Sequence, residues 1–285
     1  MYLMRIGPAG SERPVVRIDD THYLDVSDVV GDFDEWFFGS EGLTRLGEVA
    51  QERTAAGELR EFAGERIGAP IARPHQILCI GLNYSDHAAE TGQPVPEEPI
   101  LFTKSPNTLI GPYDDVRIPR GSTKLDWEVE LGVVIGTTAR YLASPDEALG
   151  HVAGYAVSHD VSEREFQLER GGQWDKGKSC ETFNPFGPDL VPAEHVDDPQ
   201  QLGLRLWVNG EPRQDGSTGN MLFSVAHVIW YLSQFMVLEA GDVINTGTPA
   251  GVALGSDETP FLQEGDIVQV EIDGLGRQRH KFGQA

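Results

Sequence analysis

From Gln76 onward, nearly every apolar run in this chain is short and bounded by glycine or proline: QILCIGLNY, PILFTK, DVRIP, WEVELGVVIG, HVAGYAVSHD, LGLRLWVNG, GDVINTG and DIVQVEIDG. Runs of this length, rich in β-branched residues and separated by turn formers, predict strands. They do not alternate regularly with helices. That argues against a doubly wound parallel sheet and for an α+β, β-rich domain with mixed strands. The later stretch with clear helical character is MLFSVAHVIWYLSQFM, in which apolar residues occupy so much of the circumference that a largely buried helix is expected.

The first 72 residues differ in texture. Short strand-like pieces (MYLMRIG, PVVRID, THYLDV) precede a polar stretch, EGLTRLGEVAQERTAAGELREF, that predicts an exposed helix, and Pro70 and Pro74 then break the pattern. The expected organisation is a small N-terminal α+β domain over 1–72 and a larger domain over 73–285. The sequence shows no internal repeat and no low-complexity tract.

Lys and Arg number 22 against 45 Asp and Glu, a formal net charge of -23 spread along the chain. Nucleic acid and anionic membranes are therefore excluded as expected partners. An anionic substrate would have to be drawn in by local positive charge, because the overall field repels it. No apolar run approaches the length needed to cross a bilayer, and MYLMRIGPAG lacks the basic flank and apolar stretch of a secretory signal, so a cytoplasmic location is expected. Cys79, inside ILCIG, and Cys180, in KGKSCETF, form no disulfide framework and are expected to pack.

Several segments carry residues with chemical potential. In LDWEVELGVVIG the strand period of two sends Asp126, Glu128 and Glu130 to one face. Taken alone, such alternation commonly marks a half-solvated strand. The strand GYAVSHD delivers Asp160 into a polar segment, and if these carboxylates converge they make a hard oxygen site suited to Mg²⁺ or Mn²⁺ rather than Zn²⁺. Arg164 and Gln167 stand i, i+3 and would share a face of a short helix, followed by Lys176 and Lys178 in an otherwise acidic chain. His87 and Glu90 are also three apart, able to form a base and its orienting carboxylate, or equally a surface His on a capping segment. Glycines and prolines bracket that pair, as in a segment that can move over a site. INTGTPAGVALG runs from a strand into a Gly-rich turn that can present N–H groups to an anion, and no nucleotide-binding glycine motif is present.

In order, GLNYSDHAAETG, PILFTKSPNTLIGP, GSTKLDWEVELGVVIG, GYAVSHDVSEREFQLERGGQWDKGKSCETFNPFGP and GDVINTGTPAGV resemble the fumarylacetoacetate hydrolase family across about residues 75–275. The resemblance implies a β-roll catalytic domain, a homodimer, and Mg²⁺ or Mn²⁺ held by Glu128, Glu130 and Asp160. It implies a catalytic Lys178, a His87–Glu90 dyad on a mobile lid, and substrate contacts from Arg164, Gln167, Thr248 and the cavity-lining Lys104. The stretch SEREFQLERGGQWDKGKSC is most similar to bacterial 2,4-diketo-3-deoxy-L-fuconate or L-rhamnonate hydrolases of sugar-acid catabolism. His159 stands where many members have Asn, a departure expected to disturb hydrogen bonding at the site.

The chemistry this implies is metal-dependent hydrolysis of a C–C bond in a 2,4-diketo acid, an acylpyruvate, giving pyruvate and a second acid such as lactate. The carboxylate and 2-oxo group of such a substrate can chelate the metal together. Decarboxylation of an oxaloacetate-type acid and isomerisation of a 2-hydroxyhepta-2,4-diene-1,7-dioate-type acid would use the same groups. A metal-containing binding protein without turnover is the reading from another class.

Overall fold

Strands with no polar alternation need cover on both faces, and ILCIG and VVIG lie where they get it. The computed structural model describes residues 1–90, 92–256, 258 and 260–285. Its centre is a six-stranded mixed sheet in the order Val191–Pro192, Val152–His159, Val129–Ile135, Val243–Asn245, Ile77–Gly81, Ile100–Lys104. Pairings are antiparallel except for Val243–Asn245 on Ile77–Gly81. Every residue of Val129–Ile135 is buried, so the half-solvated alternative for this strand does not hold.

One face of this sheet packs on a five-stranded sheet, ordered Glu211–Ser217, Gly203–Val208, Ile267–Ile272, Gly276–Gln284, Val116–Ile118. Val129, Leu131, Val133 and Ile135 meet Leu204, Leu206, Val268, Val270 and Phe282 in that core. The opposite face, carrying Val134, Ile77, Cys79 and Ala156, is covered by Leu3, Val16, Leu24 and Phe33. These come from the N-terminal layer, whose antiparallel sheet runs Tyr2–Ile6, Arg13–Arg17, His22–Asp25, Arg60–Glu61. Because strand side chains alternate, Glu128 and Glu130 share their face with Val134 and lie on the side of the N-terminal layer.

The two expected helices are both shorter than their sequence patterns. The polar one spans Gly42–Ala56 and buries a narrow stripe that includes Leu46 and Ala50. It stops because Gly57 takes a left-handed φ of 74° and its N–H caps Arg53 and Thr54, after which Arg60–Glu61 joins the sheet edge. The apolar one spans Val225–Ser233, with Ser224 accepting from the His227 N–H at its start. Val225, Val228, Ile229 and Leu232 are buried, while Phe235 beyond its end is 64% exposed, so burial is confined to one face. Among the described residues, no helix is long and apolar enough to cross a membrane.

The N-terminal layer is also joined by charge to the segment that follows the central strands. Leu3 and Leu190 exchange backbone hydrogen bonds of 3.0 and 2.9 Å, and Arg17 forks onto the buried Asp189 carboxylate, its shortest contact 2.7 Å. Arg17→Ala would leave that carboxylate buried and unpaired. The expected loss is about 3 kcal/mol of unfolding free energy, read as a lower urea midpoint by tryptophan fluorescence; an unchanged midpoint would contradict the joining role.

Candidate active site

The Val152–His159 strand runs antiparallel to Val129–Ile135 with Glu130 opposite Ser158, so Asp160 leaves the sheet beside Glu128, whose carbonyl accepts its N–H at 3.0 Å. Oxygens of Glu128, Glu130 and Asp160 lie within 4.8 Å of one another, and all three residues are buried. Ligands on opposite sides of one divalent cation stand about 4–5 Å apart, so this hard-oxygen set has the spacing for Mg²⁺ or Mn²⁺. Burial pushes both glutamate carboxyls up, and their neighbours then decide differently. Lys178 and Arg164 hold Glu128 below the usual carboxylate range. Glu130 goes well above it, because Asp160 and Glu128 add to burial and outweigh Lys178 and the Gly247 N–H, 2.8 Å from Oε2. A buried carboxyl crowded by two others is what a bound dication would relieve.

Asp126 shares the alternation yet does not join the cluster. The extended run is interrupted after Leu125–Asp126, and its carboxylate accepts from the N–H groups of Ala253 (2.8 Å) and Leu254 (3.0 Å) and from Arg164 Nε (2.8 Å). It therefore positions Arg164, which also pairs with Glu128 at 2.7 Å. Arg164 and Gln167 meet as expected, Nη1 donating to Oε1 at 3.1 Å, although the turn Glu165–Glu169 that carries them is a wider π-helix.

Lys178 closes the short Asp175–Lys178 helix, and its ammonium donates to Glu128 Oε2 (2.7 Å) and Asp160 Oδ2 (2.9 Å). Burial alone would lower its pKa, but Asp160 and Glu128 raise it above the ordinary lysine value, so it is held charged. Lys104, expected to line the cavity, is not among the residues found to line it. Its side chain is fully buried and its ammonium donates to Asp160 Oδ1 (2.5 Å) and the Val161 carbonyl (3.0 Å), which commits it behind the carboxylates instead of on the cavity wall.

A cavity of about 470 Å³ opens over this group, and Glu128, Glu130, Arg164, Gln167, Lys178, His87 and Thr248 all line it. His87 and Glu90 lie on the Ser85–Glu90 turn with Nδ1 and Oε2 3.5 Å apart. Both Glu90 oxygens accept from the Gly251 N–H at 3.0 Å, and Trp127 Nε1 donates to the Gly251 carbonyl, so the turn is docked on the loop after TGTP. Thr248 reaches the cavity, but its hydroxyl donates to the Val129 carbonyl and accepts from Gln214 Nε2, each at 2.8 Å. Gln214, whose side chain also takes the Val129 N–H at 2.9 Å, lies in the polar run EPRQDGS, where no local pattern marks it as part of the site. His159 packs away from the carboxylates, its ring 5.3 Å from that of His280, and neither ring nitrogen has a hydrogen-bond partner among the described residues. Burial, with His280 and Lys104, pushes its pKa well below the ordinary value and keeps it neutral.

Residues 76–282 match the fumarylacetoacetate hydrolase C-terminal family. A Burkholderia ambifaria protein whose name goes no further than an inferred hydrolase is 49% identical over 280 residues, 98% of this chain and 97% of its own. The fumarylacetoacetate hydrolase of psychrophilic Exiguobacterium antarcticum superposes with a TM-score of 0.84 at 34% identity, covering 100% of both chains. Maleylpyruvate hydrolase from Sphingobium sp. SYK-6, solved with manganese(II) and pyruvate, superposes at 0.81 with 28% identity over 100% of both chains. With the family matched over most of its length and the same mixed-sheet architecture throughout, this chain belongs to the fumarylacetoacetate hydrolase family.

Proposed function

We propose that this protein is a metal-dependent hydrolase of acylpyruvates, cleaving the C3–C4 bond of a 2,4-diketo acid to pyruvate and a second acid. The observation that carries the reading is the convergence of Glu128 and Glu130, which line the cavity together with His87, on the buried Asp160. The relative holding manganese and pyruvate supports it. Mg²⁺ or Mn²⁺, held by those three carboxylates, would supply a Lewis acid for the substrate's carboxylate and 2-oxo group.

The chain's own residues then have distinct tasks. Arg164 and Gln167 hold the substrate carboxylate. Glu90, fixed by the Gly251 N–H, orients His87, which takes a proton from the water attacking C4. Lys178, kept charged by its two carboxylate partners, stabilises the oxyanion that forms on C4. The electron pair of the broken C3–C4 bond passes to C3, which is then protonated. For a 2,4-diketo-3-deoxy sugar acid the second product would be lactate. A homodimer is retained as the proposed assembly, supported if light scattering gives twice the chain mass.

Product analysis by mass spectrometry on a panel of acylpyruvates, oxaloacetate and 2-oxo-diene acids, with Mg²⁺ and Mn²⁺, tests the reaction class. Pyruvate plus the matching acid is expected; release of CO₂ or an isomer instead would move the assignment to decarboxylase or isomerase. Glu128→Ala or Asp160→Ala is expected to abolish turnover, because a hard-cation site loses one of three anionic ligands, and circular dichroism on each variant separates that loss from the destabilisation of a lysine left with one carboxylate fewer. Undiminished activity after metal depletion would overturn the cation role.

The dyad is tested separately. His87→Ala is expected to stop pyruvate release while the C3 protons of an acylpyruvate still exchange with deuterated solvent, since exchange needs no attacking water. Normal hydrolysis in the variant would remove the water-activating role and leave the turn as a cover over the site.

A further inference from the structure

The cavity has two unlike halves. Once the groups assigned above are set aside, what remains of its lining is mainly apolar: among the described residues only the Gln93 amide and the Trp174 indole N–H carry polar side-chain atoms, and there is no additional Lys, Arg or His. The apolar half begins beside the chemistry, since Lys178 Nζ lies 4.9 Å from the centre of the Phe102 ring. Trp174 stands 5.4 Å from Phe102, centroid to centroid. It is held there because the next residue, Asp175, accepts from the Thr103 N–H and hydroxyl at 3.0 Å each. Ile100 and Leu168 extend the wall, and Leu168 is 42% exposed at the cavity.

Two backbone features show that this shape is imposed. A side chain at Gly81 would displace the Trp174 ring: a Cβ there would sit 2.6 Å from it. Leu82 adopts φ 53°, a left-handed conformation unfavourable for leucine. Asn83 holds the chain in it, donating to the carbonyls of Phe223 (3.0 Å) and Thr246 (2.8 Å) and accepting from the N–H groups of Phe223 and Leu222 at 2.8 Å. The leucine side chain lines the cavity as a result.

We propose that this wall is an acyl pocket, that the substituent carried on C4 is an alkyl or aryl group, and that Trp174 packed against Gly81 sets its size. The proposal rests on the acylpyruvate reading and narrows it. A hydroxylated tail of the sugar-acid kind would bury its hydroxyl where, among the described residues of this wall, only the Gln93 amide and the Trp174 indole N–H could pair with it, at a desolvation cost. A tail carboxylate would meet no counter-ion among the described residues of this wall, in a chain of net charge -23.

The test is kcat/KM for a series running from acetylpyruvate to hexanoylpyruvate and benzoylpyruvate, with tails of matched length bearing one hydroxyl or a terminal carboxylate. Each added methylene is expected to raise kcat/KM about fourfold, the factor for burying a CH₂, until the wall is filled, and the carboxylate tail should fall on the order of a hundredfold below its alkyl counterpart. Gly81→Ala should cut the benzoylpyruvate to acetylpyruvate ratio at least tenfold, and Trp174→Ala should move the optimum to longer tails. Calorimetry with uncleavable 2-oxoalkanoic acids and Mn²⁺ should give the same order of affinities. A flat series, or a polar tail exceeding its alkyl match, overturns the pocket. If 2-oxo acids bind in the expected order but no acylpyruvate is cleaved, the hydrolase reading fails and the pocket stands; if all tails are cleaved alike, the reverse holds.

Discussion

Four carboxylates, Asp126, Glu128, Glu130 and Asp160, are buried together with three cations, Lys104, Lys178 and Arg164, inside a sheet covered on both faces. Charges so buried are tolerated only when each finds a partner of good geometry. The fold around them can be read as the means of delivering those partners. Lys104 arrives from the edge strand Ile100–Lys104, Lys178 from the short helix after the glycine pair, and Arg164 from the π-turn, each from a different part of the chain. With Glu130 ionised, as a metal ligand would be, one negative charge is left over. A dication and a substrate bearing one carboxylate would bring the group to neutrality, which agrees with a pocket whose described residues offer no cation for a second.

The same arrangement ties the cover to the floor. Glu90 is bonded to the Gly251 N–H, while Asp126 takes the N–H groups of Ala253 and Leu254 in the same loop and also holds Arg164. A Cβ at Gly255 would sit 2.1 Å from Glu90 Cγ, so this loop and the His87 turn fit together closely. A rigid scaffold thus carries the carboxylates, and a loop contact fixes the dyad above them.

Much of the carboxylate cluster was legible because strand periodicity is local: Glu128 and Glu130 had to share a face wherever the strand lay. Lys178 stood out as a basic residue in an acidic chain, and the i, i+3 spacings of His87–Glu90 and Arg164–Gln167 did bring each pair together. What escaped depended on distant partners. Lys104 ends a strand and could as well have faced the cavity, since its acceptor Asp160 is 56 residues away. Gln214 sits in a polar strand with nothing local to mark it, yet its amide joins Val129 to Thr248. Trp174, between a glycine pair and KGKS, reads as loop until Phe102 and Gly81 are seen against it. The Val225–Ser233 helix is shorter and less buried than its apolar composition suggests, because composition alone does not say which face will be covered.

The measurement that bears most directly on the account is cleavage of hexanoylpyruvate by the Mn²⁺-loaded enzyme in oxygen-18 water, with mass spectrometry of both products at early times. Water attack at C4 places one heavy oxygen in the carboxylate of the released hexanoate, with pyruvate labelled no more than carbonyl exchange in an enzyme-free control allows. Cleavage that leaves hexanoate unlabelled, or conversion of the substrate without C3–C4 cleavage, would contradict a site built to turn water on a diketo acid.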